Sequence, residues 1–173
     1  MSYNEFKIYT KNYLRLIESS LMPDTAAVVI VRNNKALILQ RGYTAPWMPG
    51  KWNLPGGGID QGETPIKAAK REALEETSIN LNSYNLVSIS VDDGGGWVLE
   101  TFMTKLHSSL DLLPDQTYPD YKKNQEEREK LLPVSKELGF PESIDYRWIS
   151  IDELDEYKFV PMVKENIRKA LAK

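Results

Sequence analysis

The chain has 173 residues, 41% of them hydrophobic and 27% charged, the make-up of a folded domain rather than of a disordered chain. It has no cysteine and one histidine, His107, which excludes disulfides, cysteine nucleophiles and thiolate or multi-histidine metal sites, so any metal must be held by oxygen. The net charge of -3 offers no basic field for nucleic acid, and the longest apolar runs are too short to cross a bilayer. Residues 1–21 lack the apolar stretch of a secretory signal, so a cytoplasmic location is expected.

Phe6, Tyr9, Tyr13 and Leu16 or Ile17 recur at helical spacing, predicting an N-terminal helix over 4–21 that Pro23 and Asp24 stop. Residues 25–32 read as a buried strand and 35–41 as its return, with Asn33-Asn34 as the turn. A loop over 42–51 contains Pro46 and Pro49, and Pro55-Gly56-Gly57-Gly58 reads as a breaker. Thr64 and Pro65 suit the start of a helix over 65–77. Strands over 85–91 and 97–106 flank the hairpin loop 92–96. A charged helix is expected over 122–138, kinked at Pro133, acting as a lid or dimer flank. Residues 146–149 read as a last strand, Ser150 and Glu153 as a capping box, and Val163, Ile167 and Leu171 as the apolar stripe of a terminal helix. Hairpins mixed with helices imply a mixed sheet with helices on its faces. The division is 1–24 as an N-terminal extension and 25–173 as one domain.

The chemistry concentrates on the helix over 65–77. Glu72, Glu75 and Glu76 share an arc of roughly 100° on one face, where like charges repel. A hard divalent cation reverses that penalty, because Mg²⁺ takes oxygen ligands and keeps waters for substrate phosphates. The Gly run lets backbone approach an ion or ligand closely, with carbonyls as further donors. Arg71 can neutralise or orient these carboxylates.

Gly57, five residues, Glu63, seven residues, then Arg71-Glu72-Ala73-Leu74-Glu75-Glu76-Thr77-Ser78-Ile79 resembles the Nudix box. Six charged or Gly positions match, a coincidence expected in about one window in ten million at ordinary amino-acid usage. Ser78 stands where the family has Gly; that Gly ends the helix at positive φ, so Ser there implies strain of order 1 kcal/mol. Residues 36–41, 51–57 and 147–154 also resemble the family's flanking segments. The resemblance implies a Nudix α/β/α sandwich, with the N-terminal helix and an insertion over 107–145 as additions.

The same resemblance implies water attack on a phosphoanhydride in a nucleoside diphosphate derivative or, as in MutT-like enzymes, a nucleoside triphosphate. Glu72, Glu75 and Glu76 would hold Mg²⁺, for which Mn²⁺ can substitute, with the Gly56 carbonyl as a further ligand. Glu72 would also assist deprotonation of water, Arg71 would orient the carboxylates, and Gly57 and Glu63 would support them. A further Glu before the closing strand, six residues ahead of a Trp, points to Glu142 ahead of Trp148; Asp145, Glu126 and Glu127 are alternatives. Trp97 is either a base-stacking residue or a sheet-core aromatic. Arg41 either contacts a base or terminal phosphate, or makes an ordinary salt bridge. Alternative functions are a nucleotide sensor without catalysis and a hydrolase of ADP-ribose, dinucleoside polyphosphates or mRNA caps; the subgroup markers downstream of the box are missing. An isomerase on this fold would need a cysteine. Homodimers are common in the family, so a homodimer is expected.

Overall fold

The computed structural model describes residues 22–107, 113, 129–135, 138–139 and 141–173. The expected N-terminal helix and most of the insertion, Glu126 and Glu127 included, lie outside them. The chain runs β1 (Thr25–Arg32), β2 (Lys35–Arg41), β3 (Trp52–Asn53), β4 (Gly56–Gly58), α1 (Pro65–Thr77), β5 (Val87–Asp93), β6 (Val98–Lys105), β7 (Ser143–Ile149), a 3-10 turn (Ile151–Glu156) and α2 (Val163–Leu171).

All seven strands join one mixed sheet whose central path is β3-β2-β1-β6-β5. β1 lies at its heart. Its parallel pairing with β6 needs a crossover, and α1 and β5 lie within that connection. Ala26, Val28 and Ile30 face one apolar cluster with Ala68, Ala69 and Ala73 of α1. Val29 and Val31 face a second with Val163, Ile167 and Ala170 of α2. Covering both faces explains why seven consecutive residues of β1 are buried instead of alternating. Small residues on α1 bring that helix close to the sheet.

The turn at Asn33-Asn34 forms as expected, both residues adopting positive φ, at 51° and 58°. β1 and β2 then part. They pair only at Val31–Ala36 and Arg32–Lys35. Between the parted strands β4 pairs with the first half of β1, and β3 with the second half of β2. The glycine run expected as a breaker is therefore a strand, because the gap left by β2 supplies it with a partner.

Several boundaries also differ from the sequence reading. β5 covers 87–93 and β6 covers 98–105, so Trp97 stands just outside the strand. β7 begins at Ser143, pairing with Arg41, rather than at residue 146. Thr64 occupies the helix-start position with extended backbone, but its hydroxyl makes no cap; its carbonyl accepts the Lys67 and Ala68 N–H groups instead. The capping box of Ser150 and Glu153 is present. Glu129 is the last helical residue before Pro133, so the described part of the insertion stops its helix ahead of the proline instead of kinking through it. Among the described residues no helix is long and apolar enough to cross a membrane.

Candidate active site

The parting of β1 and β2 places α1 against the glycine strand. Gly56 N–H donates to Glu76 Oε2 at 3.0 Å, and this bond ties a strand to a helix 20 residues further on. Gly57 faces Glu72 so closely that a Cβ there would stand 2.5 Å from Oε1. Only glycine leaves the Glu72 carboxylate where it is.

Arg71 organises the outer side. Its Nη1 donates to Glu72 Oε1 at 2.7 Å and to Glu75 Oε2 at 3.1 Å. Nε and Nη2 fork onto Glu63 at 3.1 and 2.9 Å, and Nη2 also reaches the Gly58 carbonyl at 2.8 Å. This fork holds the Glu63 carboxyl below its usual range. Glu63 in turn accepts the Asp60 N–H. Arg71 thus touches Glu63, Glu72 and Glu75, three of the carboxylates singled out in the sequence.

The carboxylates divide into two sides. Burial raises the Glu72 carboxyl above its usual range, with repulsion from Glu75 and Glu142 adding to the shift and Arg71 opposing it. Burial pushes Glu76 up to about 8, with Glu72 and Glu142 adding to the shift and the Gly56 N–H opposing it. Glu75 lies outermost, its side chain 57% exposed and held by Arg71. Among the described residues no three His, Cys, Asp or Glu side chains converge tightly enough to cage a metal ion. The expected trio of Glu72, Glu75 and Glu76 is thus not a ready-made cage. Arg71 draws Glu72 and Glu75 outward, while the Gly56 N–H keeps Glu76 inward. The donor chemistry still fits a hard cation, since Glu72, Glu76 and Glu142 are oxygen donors whose charges repel one another.

Of the candidates for the carboxylate before β7, Glu142 lines a cavity of about 300 Å³ together with Glu76, Arg41, Thr44 and Leu138. Asp145 does not share it. Its carboxylate is buried and paired with Arg147 Nη1 at 3.0 Å, a structural ion pair within β7. The Glu142 carbonyl accepts the Gly42 N–H, fastening the loop over 42–51 beside the carboxylates.

Against β4 lies a second, larger cavity of about 370 Å³, lined by Ala27, Leu54, Leu99 and Val160 with Trp47 and Trp97. Arg41, Asn53 and Leu54 line both cavities. Arg41 makes no carboxylate salt bridge among the described residues; its Nε donates to the Trp47 carbonyl at 2.9 Å. Trp97 is no sheet-core aromatic: it is half-buried and folds over Gly94, where a Cβ would stand 2.1 Å from its ring. Trp47 and Asn53 escaped the sequence reading. An aromatic residue in a Pro-rich loop just ahead of the box was the available signal for Trp47. Asn53 carried none before its strand placement was known.

Comparison with known proteins agrees with this arrangement. The NUDIX domain family model matches residues 22–171. An RNA pyrophosphohydrolase of Helicobacter pylori (strain G27) is 36% identical over 74 residues, 43% of this chain and 40% of the relative. The chain thus spans less than half the length of the curated relatives it matches first, a quarter to two fifths of each. Among solved structures, an Ap4A hydrolase binary complex of C. elegans superposes with a TM-score of 0.59 at 21% identity, covering 86% of this chain and 96% of that one. The E. coli dihydroneopterin triphosphate pyrophosphohydrolase superposes equally well, 0.59 at 17% identity, over 86% of this chain and 94% of that one. At such identities these two establish the fold alone. With its box glycine packed against Glu72, its carboxylates lined along α1 and its family match running from residue 22 to 171, the chain belongs to the Nudix domain family.

Proposed function

We propose that this domain hydrolyses a phosphoanhydride bond in a nucleotide derivative, with a divalent cation, Mg²⁺ or Mn²⁺, as cofactor. The observation that supports it most is that Glu76, which feels the charges of Glu72 and Glu142, shares a cavity with Glu142 in which Arg41 is the one cationic lining residue among the described residues. Carboxylates gathered around a buried one such as Glu76 are costly without a counter-charge. Glu72, Glu76 and Glu142 would hold the cation, with Glu75 and the Gly56 carbonyl as the further donors that family membership suggests. When bound, the cation offsets phosphate charge and lowers the pKa of bound water.

The chain's own residues do the positioning. Arg71 uses up Glu72 Oε1 and leaves Oε2 without a hydrogen-bond donor among the described residues. That oxygen, on a carboxyl whose proton affinity burial raises, is the one to accept a proton as water adds to phosphorus and the bridging P–O bond breaks. The Gly56 N–H holds Glu76, and Arg41, lining the same cavity, is the cation available to phosphate oxygens. Most of the rate enhancement then comes from positioning and electrostatics.

The experiment is a panel of nucleoside triphosphates, ADP-ribose, dinucleoside polyphosphates and 5′-triphosphorylated RNA, with Mg²⁺ or Mn²⁺ and products identified by mass spectrometry. Release of pyrophosphate, phosphate or a nucleoside monophosphate, abolished by EDTA, is the expected result. Tight binding of a panel member without cleavage would replace the hydrolase with a sensor.

A further inference from the structure

The larger cavity is shaped for one kind of group. Trp47 and Trp97 meet edge to face, their ring centroids 6.1 Å apart and their planes at 76°. Two indoles so disposed form a corner and not a sandwich. A planar ring laid flat on one presents its rim to the other, and both contacts are favourable aromatic geometries. The volume of about 370 Å³ lies within the range of small-molecule sites. Most of its remaining lining is apolar, including Leu54, Leu99 and Val160, with Thr25, Arg41 and Asn53 as the polar groups, so a sugar or a phosphate alone would leave apolar surface uncovered.

The corner is also wired to the carboxylates. Arg41 Nε is held by the Trp47 carbonyl at 2.9 Å, and its guanidinium lies 5.6 Å from the Trp47 ring centre. Arg41 lines both cavities, so a ligand running from the corner to Glu76 passes it. The loop that carries Trp47 is closed by three backbone bonds, Arg41 N–H to the Lys51 carbonyl, Gly50 N–H to the Arg41 carbonyl and Lys51 N–H to the Met48 carbonyl. The Gln40 side chain adds a fourth by donating to the Gly50 carbonyl. The Gly42 N–H joins the same loop to Glu142.

We propose that Trp47 and Trp97 form an aromatic corner that receives the base of a nucleotide substrate, with Arg41 between that corner and Glu76. This rests on the nucleotide reading above and narrows it. The substrate has an aromatic base at the end nearer the corner, and Trp47 and Trp97 determine specificity for it.

The test separates binding from turnover. Metal-free full-length protein in EDTA is titrated by calorimetry with AMP, GMP, CMP and UMP, and with ribose 5-phosphate as the baseless control. The wild type should bind at least one nucleoside monophosphate at least tenfold more tightly than ribose 5-phosphate. Trp47→Ala and Trp97→Ala should each weaken that monophosphate by about five- to hundredfold, the range of one base–aromatic stack. Trp47→Phe should restore affinity to within about threefold, and neither Ala variant should alter ribose 5-phosphate binding. Equal affinity of the wild type for ribose 5-phosphate and the monophosphates, failure to bind any of them, or undiminished binding by Trp47→Ala would overturn the proposal. A wild type that shows the expected binding pattern yet cleaves nothing in the panel would support the corner and refute the hydrolase.

Discussion

Gly57→Ala separates the demands of folding from those of the site. Gly57 lies in β4, paired with Ala26, and its φ is outside the left-handed region, so an alanine fits the backbone. The new Cβ would stand 2.5 Å from Glu72 Oε1, 2.6 Å from Cδ and 2.9 Å from Oε2, against ordinary contacts of 3.4–4 Å. The atoms in the way are the end of a flexible side chain, so Glu72 retreats by about 1 Å and the strand stays. Losing one arrangement of the Arg71–Glu72 contact costs little, about 1 kcal/mol, and alanine restricts the unfolded chain by a similar amount in the opposite sense. Stability should therefore change by less than about 1 kcal/mol. Activity should not escape so lightly, because a displacement near 1 Å in a catalytic group costs on the order of a hundredfold. Gly56→Ala is the contrast: its Cβ would meet the Ala26 carbonyl at 2.5 Å and Ala27 Cα at 2.6 Å, backbone that cannot step aside, so this variant should unfold more readily. The assay is urea denaturation beside kcat/KM on the best panel substrate. A Gly57→Ala enzyme within threefold of wild type, or one whose lost activity tracks lost folded protein, would refute the reasoning.

Glu76 holds its proton more tightly when folded, up to about 8, than when unfolded. The folded state therefore binds the extra proton across that window, and metal-free stability should fall as pH rises from about 4.5 toward 8. Melting in EDTA should show that decline, Glu76→Gln should reduce it to the part that Glu72 contributes in the same sense, and Mg²⁺ should raise the melting temperature most at the alkaline end. Glu63 and Asp155, whose carboxyls are lowered, contribute in the opposite sense but only at acid pH, so they do not obscure the effect. Ser78 sits at φ 60° and ψ 8°, so Ser78→Gly should stabilise the protein by about 0.5–1 kcal/mol in urea denaturation, with kcat unchanged. Asp145→Asn should cost about 1–3 kcal/mol of stability by removing the anionic partner of the buried Arg147, while Glu142→Gln should leave stability nearly untouched and lower kcat by about 10²–10³. The reverse pattern in paired melting and rate measurements would exchange the roles of the two carboxylates.

What was legible in the sequence is what local geometry controls. Glu72, Glu75 and Glu76 share a helix face because 3.6 residues make a turn, whatever surrounds the helix. Arg71 reaches Glu75 for the same reason, and Asn33-Asn34 turns because both residues tolerate positive φ. Residue types and spacing therefore identified the carboxylate helix and the family resemblance, and the resemblance implied a left-handed stop at Ser78. Tertiary structure decided the rest. The parting of β1 from β2 turned a supposed breaker into β4 and brought the Gly56 N–H to Glu76. Burial in β7 assigned Asp145 to Arg147 and left Glu142 to share a cavity with Glu76, although the two acids are only three positions apart. Trp47 meets Trp97 across 50 residues of chain, and Asn53 joins two cavities only because β3 runs beside β2. No local spacing encodes such neighbours, because which strand pairs with which, and which face is then covered, depends on contacts among segments distant in the chain.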